Sequence, residues 1–372
     1  MRVLAILFAT CLAAVANAQT NEMTILKKNA ATPVKNQAQT GTCWCFSTTS
    51  LVESECMRKG ESGPDLSEMF TVRNIYMEKA LNYIRRQGSA RFDEGGLGHD
   101  VIHAMATYGI MPESAYSGLI NGRTQHNHSR MVSELHDYLD SLLKAKRPIP
   151  DNWQEHVTAI LDQYLGKPPA TFTYNGHNYT PITFAKEVVK FNPDDYAYFT
   201  SFSHHPFYQS FILEVPDNFS NGAYYNVPLS ELIQLTKTAV KSGYTVMWDA
   251  DVSNAGWAAG RGYALSLPAG ASPGITAYDP DQPEEKVNQA SRQRLYEELV
   301  TQDDHLMHIT GLAKSKTGKE FFIVKNSWGT GGPFEGYVNV SEPYFAVNTI
   351  TIIVPKAALD KAVKDKLALT TK

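Results

Sequence analysis

A cysteine stands at the entrance of a long helical stretch near the N-terminus of the chain. Residues 32–50 read TPVKNQAQTGTCWCFSTTS, and the run that starts at Thr42 contains no Gly or Pro until Gly60. This run predicts a helix with Thr42 as its N-cap and Cys43 in its first turn. The helix dipole favours a thiolate there, and the thiolate is the nucleophilic form of cysteine. Gln37 precedes Cys43 by six residues and supplies an amide donor.

The first eighteen residues have the order of a secretory signal peptide. Arg2 gives a positive start, residues 3–15 are apolar, and Ala-Asn-Ala follows at 16–18. We expect cleavage after Ala18 and an exported protein. The apolar run is too short to cross a bilayer, and no later segment predicts a transmembrane helix. A lipoprotein signal with Cys11 as the anchor is the alternative.

Three cysteines remain after the signal, and all are close in sequence: Cys43, Cys45 and Cys56. If they share one helix, positions 45 and 56 lie roughly 16 Å apart, which is beyond the reach of a disulfide. We therefore expect at least one free thiol. Cys45 and Cys56 are predicted to be structural, because most cysteines are buried core residues.

Helical patterns precede strand patterns along the chain. Helices are predicted over residues 43–59, 66–88, 99–109, 131–147, 152–167 and 229–243. Strands are predicted over residues 244–251, 305–313, 320–328, 336–341 and 348–355, where short apolar runs rich in β-branched residues lie between turns. This order indicates an α+β fold with two lobes.

A nucleophilic cysteine needs partners, and the strand-rich part of the chain contains them. A histidine takes the thiol proton and a polar group holds that histidine in one tautomer. The candidates are His305 or His308 for the base and Asn326 for the orienting group. Strand alternation sends these two histidines to opposite faces, so only one can face Cys43. Gln37 is the candidate donor to the oxyanion of the tetrahedral intermediate.

Two motifs resemble those of papain-like cysteine peptidases, family C1. Residues 33–47 fit PVKNQxxxGxCWxFS, and residues 324–329 read VKNSWG. The resemblance implies a two-lobed fold with a helical left lobe and an antiparallel β right lobe. It also implies a Cys-His-Asn triad that needs neither cofactor nor metal. In such a family Gly95 and Gly96 leave room for an extended substrate backbone, and Trp328 shields the His–Asn contact from water.

Departures from the common pattern make the chain most similar to the bleomycin hydrolase and aminopeptidase C branch. Thr40 stands where papains have a structural cysteine, and the distance from the predicted cleavage site to Cys43 leaves no room for a long pro-segment. Residues 93–118 resemble the cleft segment of that branch. The strand HLMHITGLA is similar to its histidine strand, which favours His305 over His308. The same branch carries a large insertion, which is predicted here to be mainly helical.

The predicted organisation follows from these segments. It comprises a signal peptide at 1–18, a helical lobe with the nucleophile at 19–118, an insertion at 119–235, a β lobe with the His and Asn at 236–355 and a C-terminal tail at 356–372. By resemblance to the branch, the tail is expected to enter the cleft, with the carboxylate of Lys372 beside the substrate amine. Its apolar residues at helical spacing also fit a surface helix, which is the alternative.

The sequence therefore predicts an exported cysteine peptidase that acts on peptide N-termini. A papain-like endopeptidase with an open cleft and a non-catalytic peptide-binding protein of the same fold are the alternatives. The formal net charge is −4 without long charge blocks, so nothing indicates a nucleic-acid surface. Peptides are the expected partners, and the oligomeric state is left open.

Overall fold

The computed structural model of the protein describes residues 23–268 and 279–369. The predicted signal peptide, Cys11 and Lys372 lie outside the described residues. Within the described part of the chain, no helix combines the length and apolarity that crossing a bilayer requires.

Three helices form one lobe, and the first of them lies at the centre of the molecule. They are α1 (Cys43–Arg58), α2 (Glu68–Arg85) and α3 (Gly98–Tyr108). Fourteen of the sixteen residues of α1 are buried. Helix α1 packs against α2 and α3 on one side and against the sheet on the other, so small side chains such as Ser and Thr are accommodated all round it. The predicted start of α2 is confirmed, because the Ser67 side chain accepts a hydrogen bond from the Phe70 backbone N–H.

The remaining helices are distributed along the chain. They are α4 (Ser129–Lys144), α5 (Trp153–Leu165), α6 (Pro181–Glu187), α7 (Leu229–Lys241), α8 (Gln289–Glu297), α9 (Glu342–Asn348) and α10 (Lys361–Lys366). Helices α4 and α5 pack on α2 and on each other, and so enlarge the helical lobe.

A large, mainly antiparallel sheet forms the other lobe. Its strands are β1 (Thr24–Lys28), β4 (Tyr196–Thr200), β5 (Ser210–Ile212), β6 (Ala223–Asn226), β7 (Val246–Ala250), β8 (Trp257–Ala258), β9 (Tyr263–Ala264), β10 (His305–Lys314), β11 (Glu320–Lys325), β12 (Tyr337–Ser341) and β13 (Thr349–Pro355). The order is β5-β6-β4-β13-β7-β10-β11-β12-β9-β8, with β1 on β10. Strands β2 (Phe172–Tyr174) and β3 (His177–Tyr179) form a separate hairpin. The predicted α+β class is confirmed.

The segment predicted as an insertion divides between the two lobes. Its first part carries the helices α4 and α5, whereas β4, β5 and β6 extend the main sheet through the pairing of β4 with β13. Strands β5 and β6 form an antiparallel hairpin in which Ile212 pairs with Ala223. We call residues 213–222 the β5–β6 loop. The insertion therefore reaches the sheet as well as the helices.

The described part of the C-terminal tail, residues 356–369, does not enter the cleft, which corrects the expectation drawn from the resemblance. Helix α10 packs its apolar side, including Val363 and Leu367, into the core beneath the sheet. Lys366 pairs with Glu231 on α7. Leu369 lines a surface pocket together with Arg58, the last residue of α1. Because α1 is roughly 24 Å long, this position is at the opposite end of the helix from Cys43. The apolar spacing favoured the surface helix that the structure contains.

Candidate active site

Cys43 is the first residue of α1, as predicted, and it is only 8% exposed. Thr42 is its N-cap, but the Thr42 side chain makes no capping hydrogen bond to the helix. The backbone of Leu306 on β10 lies close enough to the Cys43 sulfur to lower the pKa of the thiol. Burial and, to a smaller extent, three nearby carboxyl groups raise the pKa of the Cys43 thiol to about 12. Cys45 and Cys56 are buried free thiols on the same helix, as the spacing indicated.

His305 and Asn326 form a buried hydrogen-bonded pair beside the start of α1. His305 opens β10 and Asn326 follows β11, its antiparallel neighbour. The His305 Nε2 atom lies 2.7 Å from Asn326 Oδ1, and this oxygen also accepts from the Ser327 backbone N–H. The oxygen can only accept, so Nε2 carries the proton and Nδ1 is left as an acceptor. Burial lowers the pKa of His305 to about 4.

Trp328 covers this pair on its solvent side. Its ring stacks on the His305 imidazole with the centroids 4.5 Å apart and the planes 27° from parallel. The Trp328 side chain is itself 45% exposed. A ring in this position excludes water from the His305–Asn326 hydrogen bond, which is stronger in a low dielectric. The predicted shielding therefore has a geometric basis.

His308 also contacts α1, but it does so far from Cys43. Its Nδ1 atom lies 2.9 Å from the Ser50 hydroxyl, two turns further along the helix. The same hydroxyl accepts a hydrogen bond of 2.7 Å from the ammonium of Lys325. Burial lowers the pKa of Lys325 to about 8. His308 therefore belongs to a buried polar network in the interior, and His305 is the histidine placed at the mouth of the helix.

Gln37 joins the two motif segments. Its Oε1 atom accepts a hydrogen bond from the Ser327 hydroxyl at 2.6 Å, and its backbone N–H donates to the Ser327 carbonyl at 2.9 Å. Its Nε2 atom donates to the Thr40 carbonyl at 2.6 Å. An amide nitrogen has two hydrogens, so one N–H of Gln37 is not committed to Thr40. The segment that carries Cys43 and the segment that carries Asn326 are thereby fixed to each other.

The two predicted cleft glycines have different surroundings. A Cβ atom on Gly96 would lie 3.1 Å from the indole of Trp44, the neighbour of Cys43. That indole N–H donates to the Glu94 carbonyl at 3.0 Å, so the glycine segment lies directly beside the start of α1. A Cβ atom on Gly95 would lie 2.1 Å from Oδ2 of Asp217. The space at Gly95 that was predicted to be open for substrate therefore holds a carboxylate.

Three acidic residues surround the nucleophile, and the sequence assigned none of them a role. Asp217 comes from the β5–β6 loop, Asp249 from β7 and Asp303 from the segment before β10. All three raise the pKa of the Cys43 thiol through their charge. Asp217 was not identified because its loop carries no motif and reaches the site only through tertiary packing.

The described residues contain one group with the donor set of a metal site, and it is separate from the cysteine. His204, His205 and Glu214 bring their ligand atoms within 4.8 Å of one another. Each histidine Nε2 contacts one Glu214 oxygen, at 2.9 and 3.0 Å. These contacts satisfy the carboxylate with hydrogen bonds. Residues 303–308 do not supply such a group.

Family models match most of the chain. The model described as the Peptidase C1-like family matches residues 89–371, and the model of the papain family cysteine proteases matches residues 19–138. The second match includes Cys43, and the first includes His305 and Asn326.

Individual relatives agree with these matches. Aminopeptidase G of Lactobacillus delbrueckii subsp. lactis is 24% identical over 91% of this chain and 84% of its own length. Bleomycin hydrolase of Mus musculus is 22% identical over 87% of this chain and 80% of its own length. The crystal structure of PepW from Lactobacillus rhamnosis superposes with a TM-score of 0.69 at 20% identity, covering 93% of this chain and 84% of that one. The chain therefore belongs to the Peptidase C1-like family and is a papain-like cysteine peptidase of the branch that includes bleomycin hydrolase.

Proposed function

We propose that this protein is an exported aminopeptidase that hydrolyses peptides through Cys43, His305 and Asn326. The observation that carries the proposal is the buried His305 imidazole, hydrogen-bonded to Asn326 and stacked under Trp328 beside the first residue of α1. A non-catalytic peptide-binding protein would have no need of a histidine held in one tautomer beside a helix-start cysteine.

In this proposal the chemistry proceeds through an acyl-enzyme. The Nδ1 atom of His305 takes the thiol proton while the Cys43 sulfur attacks the carbonyl carbon of the scissile bond. The oxyanion that forms lies near the N-terminus of α1, where the uncommitted N–H of Gln37 donates to it. The imidazolium then protonates the leaving amine as the C–N bond breaks. Water, deprotonated by His305, hydrolyses the thioester and restores the thiol.

The buried, closed site favours the neutral thiol and imidazole before substrate arrives. Both pKa shifts act in this direction, since the thiol pKa is raised and the imidazole pKa is lowered by burial. Transfer of the proton from one to the other therefore belongs to the attack itself. Asn326 stabilises the imidazolium that results, because its Oδ1 atom accepts from Nε2–H.

Two observations support cleavage at the N-terminus of peptides over internal cleavage. Relatives with similar length are named aminopeptidase G and aminopeptidase W. In addition, Asp217 of the β5–β6 loop occupies the space at Gly95, where an extended peptide chain would continue away from the scissile bond. An endopeptidase needs this part of the cleft to be open.

The test of the proposal uses paired substrates and a thiol reagent. Aminoacyl-7-amino-4-methylcoumarins of Ala, Leu, Lys and Arg are compared with their N-acetyl forms, and Cys43→Ser is the inactive control. We expect hydrolysis of the free-amine substrates only, and iodoacetamide labelling of Cys43 ahead of Cys45 and Cys56. Turnover by Cys43→Ser would refute the covalent mechanism. A preference of the wild type for the acetylated substrates would favour the endopeptidase.

Export is proposed from the N-terminal segment. The order of Arg2, the apolar run at 3–15 and the Ala-Asn-Ala at 16–18 supports it. A fusion of residues 1–25 to a reporter that is active only outside the cytoplasm tests this, with Val3→Arg/Ile6→Arg as the control. Sequencing of the exported product should place its N-terminus near Gln19.

A further inference from the structure

The β5–β6 loop crosses from the sheet to the helical lobe and brings a carboxylate to the cleft. Asp217 Oδ2 fills the position that a side chain on Gly95 would take. The Gly95 segment lies against Trp44, next to Cys43. The Asp217 charge is also close enough to the Cys43 thiol to raise its pKa. The loop therefore places one acidic side chain at the glycine segment of the cleft, near the nucleophile.

The loop is held rigidly in this position. At its base, the Asn218 side chain donates to the carbonyls of Leu213 and Gly222, at 2.8 and 3.0 Å, and accepts from the Gly222 N–H at 2.7 Å. Near its tip, the Ser220 hydroxyl lies 2.7 Å from His99 Nε2 and 2.6 Å from Asp100 Oδ1. Both partners belong to the first turn of α3. Asp217 is thus positioned by both lobes.

In the described part of the chain, two cations lie near Asp217: Arg91 pairs with it, and the buried ammonium of Lys79 donates to Asp93 and to the Gly95 carbonyl. Asp217 Oδ1 is buried without a hydrogen-bond partner among the described residues. Asp249 is wholly buried. The guanidinium of Arg91 lies 3.1 Å from Asp217 Oδ1 but is not aligned to donate to it, is 55% exposed, and also pairs with Asp93. Asp217 therefore keeps an acceptor oxygen that neither cation satisfies with a hydrogen bond.

The charges of the cluster agree with this geometry. Burial raises the pKa of Asp217, and it raises the pKa of Asp303 to about 7. Burial and the neighbouring Asp303 raise the pKa of Asp249 well above its usual value. Asp249 and Asp303 share a hydrogen bond, so this pair holds a proton between them. Asp217 is the carboxylate left to meet a ligand.

We propose that Asp217 binds the α-ammonium group of the substrate's N-terminal residue and so sets the aminopeptidase specificity of the site. The inference rests on the proposed function and adds to it the residue that recognises the free amine. The α-nitrogen is attached to the carbon next to the scissile carbonyl, so an acceptor for it must lie a short distance from the Cys43 sulfur on the non-primed side. Asp217 is the side chain that the loop holds there.

The chemistry of the ligand fits the site on two counts. An ammonium has three donors, and Asp217 offers it an acceptor oxygen, Oδ1, that lacks a hydrogen-bond partner among the described residues. An N-acetyl group removes the positive charge and adds bulk where Asp217 already fills the space at Gly95. A hydrogen bond to a charged group is worth roughly tenfold to a hundredfold in affinity. Discrimination between free and blocked amines of at least this size is expected.

The experiment compares Asp217→Asn and Asp217→Ala with the wild type on the free and acetylated coumarin substrates. Asp217→Asn keeps the size of the side chain and removes its charge. We expect kcat/KM for free-amine substrates to fall roughly tenfold to a hundredfold, mainly through KM. Asp217→Ala should lose the same preference and also gain activity on the acetylated substrates, because the space at Gly95 opens.

Controls separate a folding defect from loss of recognition. Asp194→Asn removes an exposed carboxylate elsewhere in the insertion and should leave both activities unchanged. Melting temperature and iodoacetamide labelling of Cys43 report that each variant is folded with a reactive thiol. Unchanged kcat/KM on free-amine substrates in Asp217→Asn would overturn the assignment of Asp217 while the aminopeptidase function stands. An equal loss on both substrates would also overturn it. A wild type without any preference for free amines would refute the function itself.

Discussion

The reactivity of Cys43 depends on carboxyl groups whose charge opposes its ionisation. Burial is the largest cause of its raised pKa, and the carboxyl groups of Asp303, Asp249 and Asp217 add to it. A substrate that brings a positive charge to Asp217 offsets one of these contributions. Binding of the free amine therefore favours the thiolate at the moment when the carbonyl is in place. In this arrangement the Cys43 thiol is less reactive when no substrate is bound.

Removing one of these charges should make the free thiol more reactive. In the pair of Asp249 and Asp303, Asp249 holds the proton and donates it to Asp303. Asp303→Asn keeps an acceptor oxygen for that hydrogen bond and removes a negative charge, so the pKa of Cys43 falls. We expect alkylation by iodoacetamide at pH 7.5 to rise about threefold to tenfold, and the midpoint of its pH–rate profile to move to lower pH. Asp194→Asn is the control. A profile that moves to higher pH would mean that the carboxyl group of Asp303 does not oppose ionisation.

Substitution of the two histidines of β10 should have different effects, one on catalysis and the other on stability. His305→Ala is expected to lower kcat by about four to six orders of magnitude, as should Cys43→Ala, and the double variant should be no worse than either single one. His308→Ala should keep a kcat close to wild type and lose about 2–3 kcal/mol in free energy of unfolding, because it leaves a cavity and the buried Ser50 hydroxyl without an acceptor for its proton. Steady-state kinetics and urea unfolding measure the two effects. An inactive, stable His308→Ala variant would reverse the assignment.

The residues found from the sequence are those that belong to contiguous motifs. Cys43, Gln37 and Asn326 each sit at a fixed place in a short pattern, and the structure brings their segments together. The alternation of β10 could not decide between its histidines, because His308 contacts α1 and His305 lies near the first residue of that helix. Asp217 could not be found, because its loop reaches Gly95 only when the two lobes have packed.

Helices and strands were predicted best where a single face or a full run of apolar residues decides their packing. Helix α1 is an exception, because it is buried all round and its apolar periodicity is weak. It was predicted from the absence of Gly and Pro. Strands β4, β5 and β6 were not predicted. They are short and rich in Tyr and Phe. They join the main sheet through the pairing of β4 with β13, which brings together segments distant in sequence.

The tail illustrates how packing overrides resemblance. Apolar side chains at helical spacing find a core to cover beneath the sheet, and that burial fixes α10 at the far end of α1. We expect Leu367→Ala to lower the free energy of unfolding by about 2–3 kcal/mol while the ratio of free-amine to acetylated activity stays the same. Lys361→Ala, on the exposed side of α10, is the control. A gain of activity on acetylated substrates in Leu367→Ala would show that the tail governs the cleft.

In the whole molecule, specificity arises where the lobes meet. The helical lobe supplies Cys43 and the glycine segment, and the sheet supplies His305, Asn326 and the β5–β6 loop. The β5–β6 loop extends from the sheet, contacts α3 and Gly95, and so closes the non-primed side of the cleft. In the proposed enzyme, the restriction to N-terminal residues is therefore built into a hairpin of the insertion and does not require the tail.

Because β5 and β6 pair antiparallel up to Ile212 and Ala223, the loop can be replaced without cutting the sheet. Exchanging residues 214–221 for Asn-Gly, which favours a two-residue hairpin turn, removes Asp217 and the cover over Gly95 together. The side chains that block the cleft and the carboxylate proposed to bind the substrate amine are then both absent, so an extended peptide can pass beyond the nucleophile. We expect the shortened enzyme to cleave an internally quenched, N-acetylated peptide and to lose its preference for free amines. Asp217→Asn, which keeps the loop, should not cleave that peptide. If the shortened enzyme is folded, carries a reactive Cys43 and still ignores blocked peptides, another part of the molecule closes the cleft.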